Sequence, residues 1–139
     1  MEKTFETPRG VRLSVENHAG LVVVTSQATD KTVVSIEAAT PGAEELVERA
    51  VVECRPTGNR DHVVVKLPHV HGMRLLRRNA VIVRVDVPEG AHVSVATATA
   101  DIEINGSVGA VDVTTASGDI SVDDVTADVT LPRFKPAAG

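Results

Sequence analysis

"VSVATATADIEING", residues 93–106, is followed at residues 111–124 by "VDVTTASGDISVDD", and the second stretch repeats the first at an offset of 18 residues. Val93 falls on Val111, Val95 on Val113, Thr97 on Thr115, Ala98 on Ala116, Asp101 on Asp119 and Ile102 on Ile120, with Ile104 on Val122 and Thr99 on Ser117 as near matches. A third pass opens at Val129, with Leu131 at the position of Val113. A short fixed period of alternating strand and small turn residues predicts β-solenoid coils, each coil stacked on the one before. Equivalent aliphatic side chains then lie above one another at the strand spacing of about 4.8 Å. Ser117, Gly118 and Asp119 fall where such a coil turns a corner.

The same phase echoes near the start of the chain. Leu13 and Val15, the turn-forming "NHAG" and then Val22 and Val24 match Val93 and Val95, "TATA" and then Ile102 and Ile104. Residues 11–27 are thus a degenerate copy of the coil. A third strand follows in "KTVVSIEAA" from Lys31. "PGAEELVERA" predicts a short helix near 42–50, with Glu44 and Glu45 in its first turn and Leu46 and Ala50 facing the sheet at i, i+4 spacing. "VVECRPTGNRDHVVVKLP" predicts a hairpin turning at Pro56 to Asn59, and "AVIVRVDVPEG" a strand stopped by Pro88 and Gly90. The expected organisation is one all-β domain over 1–139. Residues 11–87 form an irregular β base with the short helix, 88–131 the regular coils, and 132–139 a frayed tail.

Composition supports sheet. Of the 139 residues, 26 Val, 13 Thr and 5 Ile are β-branched, a shape that packs on a pleated surface. With two Phe and neither Tyr nor Trp, the chain lacks the flat rings on which bases or sugars stack. Residues 1–85 hold 12 Lys/Arg and 10 Asp/Glu, residues 86–139 only 2 and 9, so the second part repels a phosphate backbone and nucleic acid is not an expected partner. "MEKTFETPRG" has no apolar core of a signal peptide, and no run reaches the ~18 apolar residues of a membrane span. The expectation is a cytoplasmic protein, moved to the envelope if an export signal precedes this sequence. Cys54 has no partner for an internal disulfide and lies in a strand-like run, the place of a small buried hydrophobe.

"FETP" (5–8), "NHAGLVVV" (17–24), the "VPEG" strand end (87–90) and the "TASGDI" repeat (115–120) together resemble a bacterial "putative adhesin" family of unknown function with β-strand repeats, especially its actinobacterial members. The resemblance spans most of residues 5–130. It implies a β-solenoid-like fold, no known enzymatic activity and, in some members, a link to the cell envelope. This chain departs in carrying barely more than two regular coils where relatives often carry several.

Sites of chemistry are sparse. "DISVDD" spaces Asp119, Ser121 and Asp123 at alternate positions, but the glycine and final glutamate of an EF-hand loop and the repeated GGxGxD of a calcium roll are missing. "HVH" places His69 and His71 on one face of an extended segment, two zinc ligands for which His62, His92 or a distant acid would have to supply a third. Arg74, Arg77 and Arg78, with Arg84 nearby, form a basic group that could dock an anion or the acidic repeat of another copy. The sequence carries no GxSxG, GxGxxG, phosphate loop, HExxH or CxxC, and the expectation is no catalytic residue, no cofactor and no enzyme. The predicted role is a non-enzymatic scaffold or protein-interaction domain that self-associates into a homo-oligomer. The alternative is an adhesin-like, envelope-associated module binding a glycan or cell-wall polymer.

Overall fold

A computed structural model describes residues 1–68, 80–115 and 119–134, with the backbone alone for residue 57 and residues 122–134. The strands are β1 (Glu2–Glu6), β2 (Val11–Asn17), β3 (Gly20–Gln27), β4 (Lys31–Ala38), β5 (Val51–Thr57), β6 (Arg60–Lys66), β7 (Val81–Pro88), β8 (His92–Thr97), β9 (Asp101–Thr115) and β10 (Ile120–Phe134). A 3-10 turn at Pro41–Ala43 leads into α1 (Glu44–Glu48), where the helix was expected, and Leu46 and Ala50 pack against the core. The fold is all-β.

Ten strands make one sheet in the order β1-β4-β7-β3-β9-β8-β2-β6-β5, with β10 added beside β9. β9 bends: its first part, from Asp101, pairs with β3, and its second, from Ala110, pairs with β8. The sheet therefore doubles back at β9 and almost closes, so that its two layers enclose one core. Period-two alternation decides which side chains go inside, as in β2, where Val11, Leu13 and Val15 are buried and Arg12 and Glu16 are exposed.

The 18-residue repeat is a physical register. β8 runs parallel to β9 with Val93 beside Val111 and Val95 beside Val113. β10 runs parallel to β9 with Ile120 beside Ile102 and Val122 beside Ile104. The N-terminal echo holds the same register: Leu13 lies beside Val93, Val15 beside Val95, Val22 beside Ile102 and Val24 beside Ile104. On its other side this copy meets β6 and β7, with Val63 beside Leu13 and Val83 beside Val22. Four rows of inward aliphatic groups result. One runs Cys54, Val63, Leu13, Val93, Val111, and another Ile36, Val83, Val22, Ile102, Ile120. Because β7 flanks β3 whereas β8 flanks the far side of β2, residues 89–91 must step past the N-terminal copy, which is inserted between layers contiguous in sequence.

The corners of these layers are held by backbone and small polar groups. Ala98 and Thr99 donate their N–H groups to the His18 carbonyl at 3.2 and 3.0 Å, so "TATA" rests on "NHAG". Asn17, buried, donates through Nδ2 to the Val81 carbonyl at 2.9 Å. Gly20 has φ 120°, and a Cβ there would stand 2.2 Å from the Val81 carbonyl oxygen, so only glycine lets the corner close on β7. At the opposite corner Gly106 has φ 86°, with the Ser26 carbonyl oxygen 2.6 Å from where its Cβ would be.

The structure departs from the plain coil reading at three places. The architecture is not a plain pile of coils: β1 and β4, and the hairpin strand β5, pair antiparallel to their neighbours and widen the sheet. Residues 2–6, 31–38 and 51–57 supply these strands, whose reversed direction cannot continue a coil. β1 leaves little trace in the sequence, since "EKTFE" lacks alternating aliphatics; of its side chains Phe5 packs against the core, as suits an edge strand held mainly by backbone pairing to β4. The tail is strand as far as Phe134, which pairs with Thr115, and Pro132 falls in a register shift between Thr130 and Arg133 where the ladder loses no regular donor.

The rows and the corner make distinct stability predictions. Leu13→Ala should cost about 2–5 kcal/mol and Gly20→Ala at least about 2 kcal/mol in urea unfolding, whereas Val23→Ala, on the outer side of β3, should cost under about 1 kcal/mol.

Candidate functional site

The residues singled out from sequence separate in the structure. His69, His71, Arg74, Arg77 and Arg78 lie outside the described residues. Arg84 projects from the outer side of β7 between Ser35 and Val23, and its Nη1 lies 3.3 Å from Glu37 Oε2 in an exposed ion pair. Such a pair contributes little to stability. Among the described residues no three His, Cys, Asp or Glu side chains converge as a metal site would require.

The repeat-mates Asp101 and Asp119 have a structural use. Asp101 Oδ1 accepts the Asp119 backbone N–H at 2.9 Å, and the Asp119 carbonyl accepts the Ile102 N–H at 2.8 Å. Asp101 thus ties its corner to that of the next layer. Thr97 likewise donates through its hydroxyl to that of Thr115 at 3.0 Å. Among the described residues no buried side-chain nitrogen or oxygen lacks a hydrogen-bond partner.

Cys54 occupies the outer end of an aliphatic row, beside Val63. Burial first, and then the nearby negative charge of Asp61, raises its thiol above the ordinary value. A nucleophilic thiol needs the opposite shift.

The outer side of the β5-β6-β2-β8 layer holds the most concentrated chemistry. The register that buries Leu13 beside Val93 places Arg12 beside His92 on one flank and His62 on the other, with Arg55 next to His62. His62 Nε2 lies 2.9 Å from the Ser14 hydroxyl. Below this row the β5–β6 hairpin brings up Asn59 and Arg60, and Arg60 Nη1 donates to the Gly90 carbonyl at 3.3 Å. Arg12, Asn59, Arg60 and His92 line a cleft of about 240 Å³. Asp61, next to Arg60, is engaged by Arg9 at 2.8 Å. Burial, followed by the charges of Arg60 and Arg12, holds the His92 imidazole below its ordinary value near 6.5. Sequence reasoning missed this group because its members come from three separate segments. The signal was nonetheless present, since the echo that sets Leu13 against Val93 also sets Arg12 against His92.

No family model matches this chain. No curated protein matches it either. It is similar in structure to a putative cell adhesion protein from Clostridium sporogenes ATCC 15579, at 10% identity and a TM-score of 0.54. The match covers 83% of this chain and 60% of that one, and at this identity the likeness is one of fold.

The electrostatics of the cleft give a pH prediction. In the folded protein His92 is harder to protonate than in the unfolded chain, so below about pH 6.5 the unfolded chain takes up more protons and stability falls as pH drops through the folded value. Urea midpoints recorded from about pH 7.5 down to 5 should decline less steeply in His92→Gln than in the parent protein.

Proposed function

We propose that this protein is a non-enzymatic β-solenoid scaffold whose 18-residue layers end in an edge that pairs with a second copy of the chain. The observation that carries this reading is the position of β10. It pairs with β9 in parallel, and among the described residues no strand lies on its other side. An open edge is a row of backbone donors and acceptors ready for another strand. All three edges carry charges or a proline of the kind that tempers such pairing, and β10, at 15 residues, is the longest of them. β1 displays Glu2, Lys3 and Glu6, and β5 carries Pro56 along with Glu53 and Arg55. The excess of acid in residues 86–139 over the near-balanced residues 1–85 favours a partner copy that presents its more basic part.

An adhesin-like module with a surface ligand is the second reading, supported by the fold likeness to a protein described as a cell adhesion protein. The two readings part over self-association. Light scattering across a concentration series should give a rising mass, and hydrogen exchange should show residues 120–134 gaining protection as concentration increases. A constant monomer mass with unchanged exchange in β10 would remove the scaffold reading and leave the second.

A further inference from the structure

We propose that the cleft between β2, β8 and the β5–β6 hairpin is a phosphate-binding site, with Arg12 and Arg60 as the principal ligands and Asn59 and His92 completing the set. This goes beyond the scaffold reading and does not depend on how β10 is used.

Four observations converge on it. The two guanidinium groups approach one concavity from different elements, Arg12 from the middle of the layer and Arg60 from the hairpin end, and planar forks of N–H donors match the oxygens of a phosphate. Arg60 donates through Nη1 to the Gly90 carbonyl at 3.3 Å, which holds its guanidinium across the cleft. Arg12 makes no ion pair among the described residues and is exposed, so its charge faces the opening. The nearest acid in sequence, Asp61, is occupied by Arg9 and turned into a buried position.

The bland reading of two nearby arginines is a solvated surface. Against it stands the rigidity of the frame. Arg12 and His92 project from adjacent parallel strands whose inward neighbours, Leu13 and Val93, are fully buried or nearly so. Their separation is therefore fixed by the core and not by flexible loops. Burial first, and then the positive charges of Arg60 and Arg12, lowers the proton affinity of His92, and an anion in the cleft offsets the second contribution. The cleft volume of about 240 Å³ exceeds what one phosphate fills, leaving room for the first atoms of whatever carries it. Phosphate is favoured over a carboxylate because its tetrahedrally arranged oxygens can meet donors that arrive from two different elements, where a planar carboxylate suits a single fork. The site is open on the outer side of the sheet, so the carrier can be a small ester or a lipid headgroup.

The test uses the intact protein and inorganic phosphate, with the His92 imidazole resonance followed by NMR at constant ionic strength against chloride. Phosphate should produce a saturable shift. Arg12→Gln should weaken binding about tenfold, the loss expected for one charge-assisted hydrogen-bonding partner. Because Arg60 also braces the hairpin, Arg60→Gln is paired with a urea unfolding measurement, and Arg12→Lys should restore part of the affinity. Glycerol 3-phosphate and phosphatidylglycerol vesicles distinguish the two carriers: competition by the ester alone assigns a soluble or polymer-borne phosphate, whereas vesicle binding abolished by Arg12→Gln assigns a headgroup. A shift that fails to saturate, that chloride reproduces, or that persists unchanged in Arg12→Gln overturns the proposal.

Discussion

Everything in this molecule depends on the vertical agreement of aliphatic side chains between parallel strands. Each strand offers the core a β-branched or leucine side chain at every second position, and neighbouring strands agree in register, so Leu13 meets Val93 and Val93 meets Val111. A slip of one residue would turn every one of these groups to solvent and bring Arg12 or Asp112 inside. The cost of burying such charges without partners makes the alternative registers inaccessible. The same constraint explains why so few large residues are needed. Among the described residues Leu13, Ile36, Ile102 and Ile104 are the bulkiest fully buried groups, and valine fills most of the rest.

Register also creates the surface. Once Leu13 and Val93 are fixed inward, Arg12 and His92 are fixed outward as neighbours, although they stand 80 positions apart in the chain. A cationic cleft built this way inherits the stiffness of the core beneath it. The corners contribute in turn. Gly20 permits the approach of β7, Asp101 ties its layer to the next, and the backbone of residues 89–91 both crosses the N-terminal copy and supplies the Gly90 carbonyl that braces Arg60.

Much of this was legible in the sequence because the repeat and its N-terminal echo are statements about register. The matches of Val93 to Val111 and of Val22 to Ile102 became strand pairs without adjustment. The short helix and the hairpin around Gly58 and Asn59 were equally readable from local turn chemistry. What could not be read was the closure of the sheet. Antiparallel pairing of β4 with β7, and of β1 with β4, leaves no periodic trace, since it joins segments with unrelated patterns. Pro132 suggests an end of structure, but its place in a register irregularity lets the strand continue to Phe134, and residues 135–139 lie outside the described residues. For the site, the basic residues clustered in sequence around Arg77 lie outside the described residues, whereas Arg12 and His92 are brought together by topology.

Methyl-to-methyl nuclear Overhauser contacts in protein labelled at Ile, Leu and Val measure the central claim most directly. Stacking in register requires strong contacts linking Leu13 to Val93, Val93 to Val111, and Ile102 to both Val22 and Ile120. If those pairs were silent while contacts appeared between residues one position out of step, the layered core would be wrong, and with it the rigid frame under the cationic cleft.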